Sequence, residues 1–349
     1  MYKYSKLFTY AISSTIAKVL SMLYDNHGRI INYLRVAVTD RCNLRCHYCM
    51  PEEGITYVDR KELLSFEEME RIISVFSQLG ISKIRLTGGE PFLRKGLIDF
   101  LQRITAIEGI TSTHITTNGT LTDDKVALIR DLGINSINLS LDSLDPDRFF
   151  KITRRNSYDK VMSTLTQLIE YEIPTKINMV VMNRHNIDDI LPMIELAKHN
   201  NIGVRFLEEM PFNGSGSHED HDTWNHVQIL NYIKEHHPGI SRAVAGPNST
   251  STNYSIPGYS GTLGIIASYS RTFCGTCNRI RLTPTGVLKT CLYDDGIFNI
   301  RDLIRSGATD IDLQNALKDA LSHRAKDGFE AERNRVNTKI SESMATIGG

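Results

Sequence analysis

YLRVAVTDRCNLRCHYC, residues 33–49, joins an apolar, β-branched run to three closely spaced cysteines, Cys42, Cys46 and Cys49. The first six residues of this stretch predict a buried strand, and the cysteines follow it directly on one loop. Thiolates at this spacing can converge on one iron–sulfur cube, and three ligands for four irons leave one iron open to a small molecule. A zinc site would need a fourth ligand, which His47 could supply.

Five further short runs of apolar and β-branched residues follow the first, and segments with polar, helix-like beginnings separate them. These runs lie at residues 83–86, 113–116, 136–141, 175–181 and 203–207. Six strands that alternate with helices predict an α/β fold with a parallel sheet. Because no dinucleotide-binding fingerprint follows the first strand, a partial (β/α)6 barrel of the TIM type is favoured over a Rossmann fold. In such a barrel the functional residues gather at the C-terminal ends of the strands.

The chain is expected to divide into three parts: an N-terminal extension at 1–29, the partial barrel at 30–238 and a smaller C-terminal module at 239–349. Residues 239–261 are dense in Gly, Pro, Ser, Asn and Thr, which predicts a loop or linker. The module carries the remaining cysteines, and we expect it to close the mouth of the barrel. A Leu/Ile/Ala pattern predicts a helix near 313–323.

The charge balance excludes some classes of function. The 349 residues contain 40 Lys+Arg and 40 Asp+Glu, so the net charge is zero, which argues against a general nucleic-acid or anionic-membrane binder. No run of 18 apolar residues predicts a transmembrane helix. Residues 1–24 lack acidic residues and could be a transit peptide, but without arginine before Arg29 an amphipathic helix packed on the body is favoured.

A second group of cysteines, Cys274, Cys277 and Cys291, repeats the three-thiolate arrangement. A zinc knuckle with a fourth ligand from elsewhere is the alternative to a second cluster with an open iron. Arg279 and Arg281 stand two residues apart, so on an extended segment both side chains point the same way. A cluster beside two guanidiniums suits an anionic substrate.

The first cysteine group, with Tyr48 before its last member, resembles the radical S-adenosylmethionine (SAM) superfamily, as does Gly88-Gly89-Glu90-Pro91 after the second strand. From about residue 33 to the end, the chain resembles the GTP 3′,8-cyclase family of molybdenum cofactor biosynthesis. The matching stretches are residues 33–51, 83–94, 116–119, 138–142, 205–210, 273–292 and 347–349. The absence of a Gly-x4-Gly-Lys-[Ser/Thr] motif excludes a P-loop GTPase, so GTP would be a substrate rather than a switch.

The resemblance implies roles for individual residues. Two [4Fe-4S] clusters would be bound, the SAM cluster by Cys42, Cys46 and Cys49 and the auxiliary, substrate-side cluster by Cys274, Cys277 and Cys291. SAM would contact Tyr48, Gly89, Ser140 and Met210. GTP would contact Arg35, Arg85, Thr116, Lys176, Arg279, Ile280 and Arg281, with Ile280 contributing mainly its backbone. The tail residues Gly348 and Gly349 would reach into the active site, where backbone without a side chain fits.

The same resemblance implies a lyase that carries out the first step of molybdenum cofactor synthesis. A 5′-deoxyadenosyl radical would abstract the 3′ hydrogen of the GTP ribose, and C3′ would then attack guanine C8 to give 3′,8-cyclo-7,8-dihydro-GTP. The implied partners are an electron donor such as flavodoxin or ferredoxin, the cyclic pyranopterin monophosphate synthase that receives the product, and a second copy of the chain in a homodimer. The expected location is cytoplasmic.

Two other functions fit parts of the sequence. A peptide-modifying radical SAM enzyme with auxiliary clusters would share the first cysteine group, although such enzymes usually carry more C-terminal cysteines than the three seen here. A zinc-stabilised nucleic-acid-binding module would use both groups for zinc, and the neutral net charge speaks against it.

Overall fold

Twelve strands form one open sheet within residues 22–215, 223–337 and 340–348, the part of the chain that the computed structural model describes. The strands are β1 (Tyr33–Ala37), β2 (Lys83–Thr87), β3 (Ser112–Thr117), β4 (Ser136–Ser140), β5 (Thr175–Val181), β6 (Gly203–Glu208), β7 (Ser241–Arg242), β8 (Thr252–Ser255), β9 (Thr262–Ile266), β10 (Arg279–Leu282), β11 (Val287–Lys289) and β12 (Phe298–Asn299). Their order across the sheet is β12-β11-β10-β1-β2-β3-β4-β5-β6-β9-β8-β7. Strands β1 to β6 are parallel neighbours in sequence order, which confirms the predicted six-stranded partial barrel.

The C-terminal part adds strands to both edges of the partial barrel. Strand β10 pairs in parallel with β1, and β9 pairs in parallel with β6. The expectation of a continuous loop at 239–261 is wrong, because β7 and β8 form there and extend the β9 edge by antiparallel pairing. These additions satisfy the backbone groups that β1 and β6 would otherwise expose as edge strands. The C-terminal part therefore shares the sheet of the barrel instead of forming a separate layer.

Helices alternate with the strands of the barrel and continue after β12. They are α1 (Phe66–Ser77), α2 (Leu97–Thr105), α3 (Val126–Asp131), α4 (Pro146–Thr153), α5 (Tyr158–Glu170), α6 (Ile190–His199), α7 (His226–His236), α8 (Ile300–Arg305), α9 (Asp310–Ser322), α10 (Gly328–Arg333) and α11 (Met344–Ile347). The predicted capping box begins α1, since Ser65 and Glu68 each accept a hydrogen bond from the other's backbone N–H. Helix α9 matches the helix predicted near 313–323.

Alternation along the strands separates an apolar outer layer from a polar inner surface. In β5, Ile177 and Met179 are fully buried in the helix-side core, whereas Lys176 and Asn178 are only partly buried on the other face. In β10, Ile280 is likewise buried in the core while its neighbours face the interior of the barrel. The inner surface can therefore carry charged groups without disturbing the packing of the helices.

The N-terminal extension is described from residue 22 onward, so the expected helix within residues 1–24 lies largely outside the described residues. Leu23 packs into the main core, and Tyr24 forms an isolated antiparallel bridge with Ile30. Among the described helices, none has the length and apolar character needed to cross a membrane.

Candidate active site

The loop of the first cysteine group is fastened to the double glycine that follows β2. Gly89 N donates to Thr39 O at 2.9 Å, and Glu90 N donates to Arg41 O at 2.8 Å. A Cβ at Gly89 would lie 2.2 Å from Arg41 O, so only glycine permits this approach. We expected the glycines to make room for a ligand, and the structure shows that they also admit the cysteine loop itself.

Glu90 lies buried behind this loop and accepts several hydrogen bonds there. The Gly-Gly-Glu-Pro motif alone did not predict this role. Its carboxylate accepts hydrogen bonds from Phe92 N, the Thr117 hydroxyl and Asn118 N at 2.7–3.1 Å. Burial raises the pKa of Glu90 to about 7 despite these three donors. The Asn118 side-chain amide in turn donates to the Cys42 sulfur, 3.7 Å away. Glu90 therefore helps to orient the Cys42 thiol through Asn118.

The three thiols of the first group lie in acidic, buried surroundings. Burial and the charge of Cys49 raise the pKa of Cys42 to about 12, and burial together with Asp142 raises the pKa of Cys46 well above its usual value. The Tyr48 hydroxyl donates to Asp142 at 2.9 Å, which links the loop to the end of β4. Charge on neighbouring thiols contributes to the raised pKa values of Cys42 and Cys46, and a bound metal centre would remove the thiol protons and compensate the repulsion among the thiolates. The donor set thus fits an iron–sulfur cluster.

A cavity of about 170 Å³ lies beside the first group, and every residue expected to contact SAM lines it. Its lining includes Cys42, Cys46, Cys49, Tyr48, Gly89, Ser140 and Met210. Thr116, expected to contact GTP, also lines this cavity, and its hydroxyl accepts a hydrogen bond from Arg85 at 3.3 Å. Thr116 therefore lies on the side of the first cysteine group and connects to the cationic side through Arg85.

The second cysteine group spans the β10–β11 hairpin. Cys274 and Cys277 precede β10 on a short 3-10 turn in which Cys277 N donates to Cys274 O at 3.1 Å. Cys291 follows β11, where Asp294 accepts from Cys291 N at 2.7 Å and fixes the turn. The hairpin thereby brings together cysteines that are separated by thirteen intervening residues.

The electrostatic surroundings of the second group differ among its members. Burial and the charge of Asp294 raise the pKa of Cys291 to about 11. Burial acts in the same direction on Cys277, but Arg279 and Arg324 outweigh it and lower the pKa of Cys277 to about 6. Arg279 donates to the Cys277 sulfur at 3.4 Å. Because it also faces the neighbouring cavity, Arg279 joins the thiols to the substrate side.

A second cavity, of about 450 Å³, lies beside this group and is strongly cationic. Its charged lining, among the described residues, consists of eight cations without a carboxylate: Arg35, Lys83, Arg85, Lys176, Arg205, Arg271, Arg279 and Arg281. Strand register explains the clustering, because Arg281, Arg35 and Arg85 are direct neighbours on β10, β1 and β2. Burial and the neighbouring cations lower the pKa of Lys176 to about 8. A bound anion would relieve this repulsion.

Three of these cations, Lys83, Arg205 and Arg271, are not among the GTP-contacting residues that the sequence analysis predicts. Lys83 stands two residues before Arg85 on β2, so strand alternation would have placed both on one face. Arg205 on β6 is paired in register with Asn178 on β5, which lies two residues after Lys176 on the same face of the strand. Arg271 precedes the second cysteine group on a non-repetitive segment with positive φ, which no periodic pattern marks.

The structure shows where Ile280 and the tail residue Gly348, both predicted to lie at the GTP site, are placed. The Ile280 side chain is absent from the cavity lining and lies in the core, so only its backbone, paired with β1, is near the site. The Gly348 carbonyl accepts a hydrogen bond from Arg281 at 2.5 Å, and a Cβ at Gly348 would lie 3.0 Å from Ala37 Cβ. Gly349 lies outside the described residues.

The two cavities adjoin. Asn178, Leu207, Met210 and Met344 line both of them, so the two cysteine groups face one shared chamber from opposite ends. Within the described ranges, no three His, Cys, Asp or Glu side chains are close enough to hold one metal ion.

The chain is similar in sequence to known families and proteins. Residues 36–197 match the radical SAM superfamily, and residues 202–329 match Molybdenum Cofactor Synthesis C. The chain is 39% identical over 328 residues to GTP 3′,8-cyclase of Syntrophomonas wolfei, covering 94% of this chain and 100% of that protein. The chain belongs to the GTP 3′,8-cyclase family. It is also 37% identical to the mitochondrial GTP 3′,8-cyclase of Arabidopsis thaliana, with coverage of 95% of this chain and 84% of that one.

Some members of the family are longer. Molybdenum cofactor biosynthesis protein 1 of Drosophila melanogaster is 38% identical over 82% of this chain, but the chain spans 50% of that protein. Among solved structures, SuiB of Streptococcus suis has a TM-score of 0.60 at 12% identity, covering 91% of this chain and 77% of that one. Its SAM-bound form has a TM-score of 0.54 at 14% identity and covers 78% and 63%. At these identities the likeness supports the fold alone.

Proposed function

We propose that this chain is a GTP 3′,8-cyclase that carries out the first step of molybdenum cofactor synthesis, using SAM and two [4Fe-4S] clusters. The observation that carries this proposal is the chamber between the cysteine groups, with thiols at both ends and eight cations along one side. A triphosphate carries the charge that such a surface requires. Membership of the GTP 3′,8-cyclase family supports the same substrate.

Each end of the chamber has its own binding task. The first group, Cys42, Cys46 and Cys49, would hold the SAM cluster, and the second group would hold the auxiliary cluster at the substrate. When bound, the SAM cluster and SAM supply the radical that removes the 3′ hydrogen of the ribose. Tyr48 and Asp142 keep the first loop in place, while Gly89 and Ser140 line the space for SAM.

The cations of the chamber would bind and orient GTP. Arg35, Arg85 and Lys176 line the inner face of the barrel, and Arg279 and Arg281 approach from the second cysteine group. Arg281 also holds the Gly348 carbonyl, so the C-terminal tail is fastened to the cationic wall. Met210 and Met344 line both cavities and present apolar side chains where the cavities meet. A radical intermediate requires a dry site, and these two side chains would help to keep water out once both ligands are bound.

The test is an anaerobic incubation of the reconstituted protein with GTP, SAM and a reductant. We expect 5′-deoxyadenosine and a cyclised nucleotide in equal amounts. Deoxyadenosine without a cyclised nucleotide would reject GTP as the substrate and favour another radical SAM enzyme. Iron and sulfide of about eight atoms each per chain are expected for two cubes. Stoichiometric zinc would favour a zinc-stabilised binding module.

The partners and the location belong to this proposal as well. The cubes need a one-electron donor, for which flavodoxin or ferredoxin is suited, and the product would pass to cyclic pyranopterin monophosphate synthase. We propose a cytoplasmic location and a homodimer. Pull-down from the native extract with the reconstituted chain tests the partners, and light scattering tests the dimer.

A further inference from the structure

One buried arginine touches both segments that form the auxiliary site. Arg324 follows α9, is 3% exposed, and does not line the cationic cavity. Its Nε donates to Thr290 O, the residue before Cys291, at 3.0 Å. One terminal nitrogen donates to the Cys277 sulfur at 3.1 Å, and the other donates to Cys277 O at 3.0 Å. A single planar guanidinium thus ties the two sides of the hairpin together.

The N-terminal segment holds this arginine in place. The Asp25 carboxylate is buried and accepts from Arg324 at 3.0 Å and from Arg29 Nε at 2.6 Å. Arg29 also donates to Cys274 O at 3.1 Å. A buried guanidinium needs a paired carboxylate, and Asp25 supplies it for two arginines at once. Residues 23–29 precede both matched family regions, yet they brace the outside of the second cysteine group.

Arginine side chains donate hydrogen bonds to the sulfur of Cys277 in the second cysteine group. Across the described ranges, the arginine donors that reach a sulfur of the second group, those of Arg324 and Arg279, both reach Cys277. Arg279 belongs to the substrate cavity, whereas Arg324 lies behind the hairpin. Hydrogen bonds to cluster sulfurs and nearby buried positive charge stabilise the reduced, more negative state of an iron–sulfur cluster. Arg324 can exert this effect without touching a substrate.

We propose that Arg324 is a positioning residue of the auxiliary site, held by Asp25 so that it donates to the Cys277 sulfur and raises the reduction potential of the cluster bound there. The inference rests on the proposed function, since it requires an iron–sulfur cluster at the second cysteine group. It assigns to residues 23–29 a part in that site, because Asp25 accepts a hydrogen bond from the same guanidinium that contacts Cys277, and Arg29 holds Asp25.

The test is a redox titration of the auxiliary cluster alone, followed by electron paramagnetic resonance. The full chain with Cys42, Cys46 and Cys49 all replaced by alanine is reconstituted and compared with the same chain carrying Arg324→Gln. We expect the ratio of reduced to oxidised cluster to fall about tenfold at the reference midpoint, equal to about 59 mV for a one-electron couple. Arg305→Gln, a change of an exposed arginine paired with Glu68, serves as the matched control and should leave the potential unchanged.

Each result decides the matter. An unchanged potential in Arg324→Gln with about four irons bound would overturn the inference while leaving the proposed function intact. Should Arg324→Gln fail to fold, Arg324→Lys takes its place, because lysine keeps the buried charge beside Asp25 but lacks the planar fork that reaches the sulfur. A shift in the same direction is expected there, and an unchanged potential again overturns the inference. A reference chain that binds zinc or no iron would overturn the proposed function, and this inference with it.

Discussion

Each of the two cysteine groups supplies three thiols, but the two groups lie in opposite electrostatic surroundings. The first group lies on one loop with buried carboxylates, Asp142 and Glu90, behind it, and its thiol pKa values are raised. The second group is assembled across a hairpin and is bordered by guanidiniums, which lower the pKa of Cys277 to about 6 against the effect of its burial. Both ends open onto one chamber.

This difference shows how one protein can assign separate tasks to two similar metal sites. An acidic surrounding at the first group suits a cationic cofactor, and SAM carries a sulfonium and an amino group. A cationic surrounding at the second group suits a polyanionic substrate. The charges of the two ends therefore support the proposal that SAM binds at the first group and GTP at the second.

The largest expected effect comes from removing one thiol at either end. Cys46→Ser should abolish SAM cleavage while the second cluster remains, because the two sets of ligands share no residue. Cys277→Ser should lose the auxiliary cluster but retain SAM cleavage. Iron analysis and deoxyadenosine assays measure both effects. Retained SAM cleavage in Cys46→Ser would contradict the role given to the first loop.

A glycine-to-alanine pair sharpens the comparison of the two loops. In Gly89→Ala the new Cβ would lie 2.2 Å from Arg41 O, a backbone atom, so the first cysteine loop must move at a cost of about 1–3 kcal/mol. We expect loss of the first cluster with retention of the second. Gly275→Ala is the matched control inside the second group, because its Cβ meets nothing within 4 Å. Equal iron loss in the two variants would contradict this steric explanation.

Removing one guanidinium from the second end should weaken substrate binding without affecting SAM. A charge-assisted hydrogen bond contributes about 1.5–3 kcal/mol, so Arg279→Ala should raise the Kd for GTP about 10- to 100-fold. SAM cleavage competence should remain. Calorimetry with GTP measures the change, and Arg305→Ala, on the surface, is the control. Unaltered GTP affinity in Arg279→Ala would count against the assignment.

A smaller effect is expected from pH, and it again belongs to the cationic end. Burial together with Arg205, Arg85 and Lys83 lowers the pKa of Lys176 to about 8, so this cation loses its proton as the pH rises through 8. The Tyr33 phenol gains negative charge in the same direction, because Arg85, Arg35 and Lys83 outweigh its burial and lower its pKa to about 7. GTP affinity should therefore fall between pH 7.5 and pH 9, by up to about tenfold over the whole range, because each group is one of many charges around the ligand and its titration is only partly coupled to binding.

Two variants separate the contributions of these groups. Lys176→Arg keeps its charge throughout this range and should reduce the decline in GTP affinity, and Tyr33→Phe should remove the phenol's share. SAM binding, at the other end, should not follow this profile. Identical pH profiles in the wild type and both variants would show that neither group titrates against bound GTP.

The sequence was sufficient for features that depend on local pattern. The alternation of six apolar runs with helix-like segments predicted the six parallel strands, and the cysteine spacing predicted two groups of thiols, which the structure places at two adjoining cavities. Contacts between distant segments were not accessible in this way. The Asp25–Arg324 pair joins residues 299 positions apart, and Arg271 reaches the cavity from a segment without periodicity. The strands within 239–261 were missed because their short, polar composition is typical of a loop, and they form by pairing with β9.

The division of tasks between the two ends can be measured most directly by electron paramagnetic resonance of two chains, each retaining one cysteine group. We expect SAM to alter the cluster signal of the chain that retains Cys42, Cys46 and Cys49. We expect GTP to alter the signal of the chain that retains Cys274, Cys277 and Cys291. Each ligand should leave the other chain's signal unchanged. A GTP-induced change in the chain that keeps only the first group, with none in the chain that keeps the second, would contradict the assignment of substrate to the cationic end.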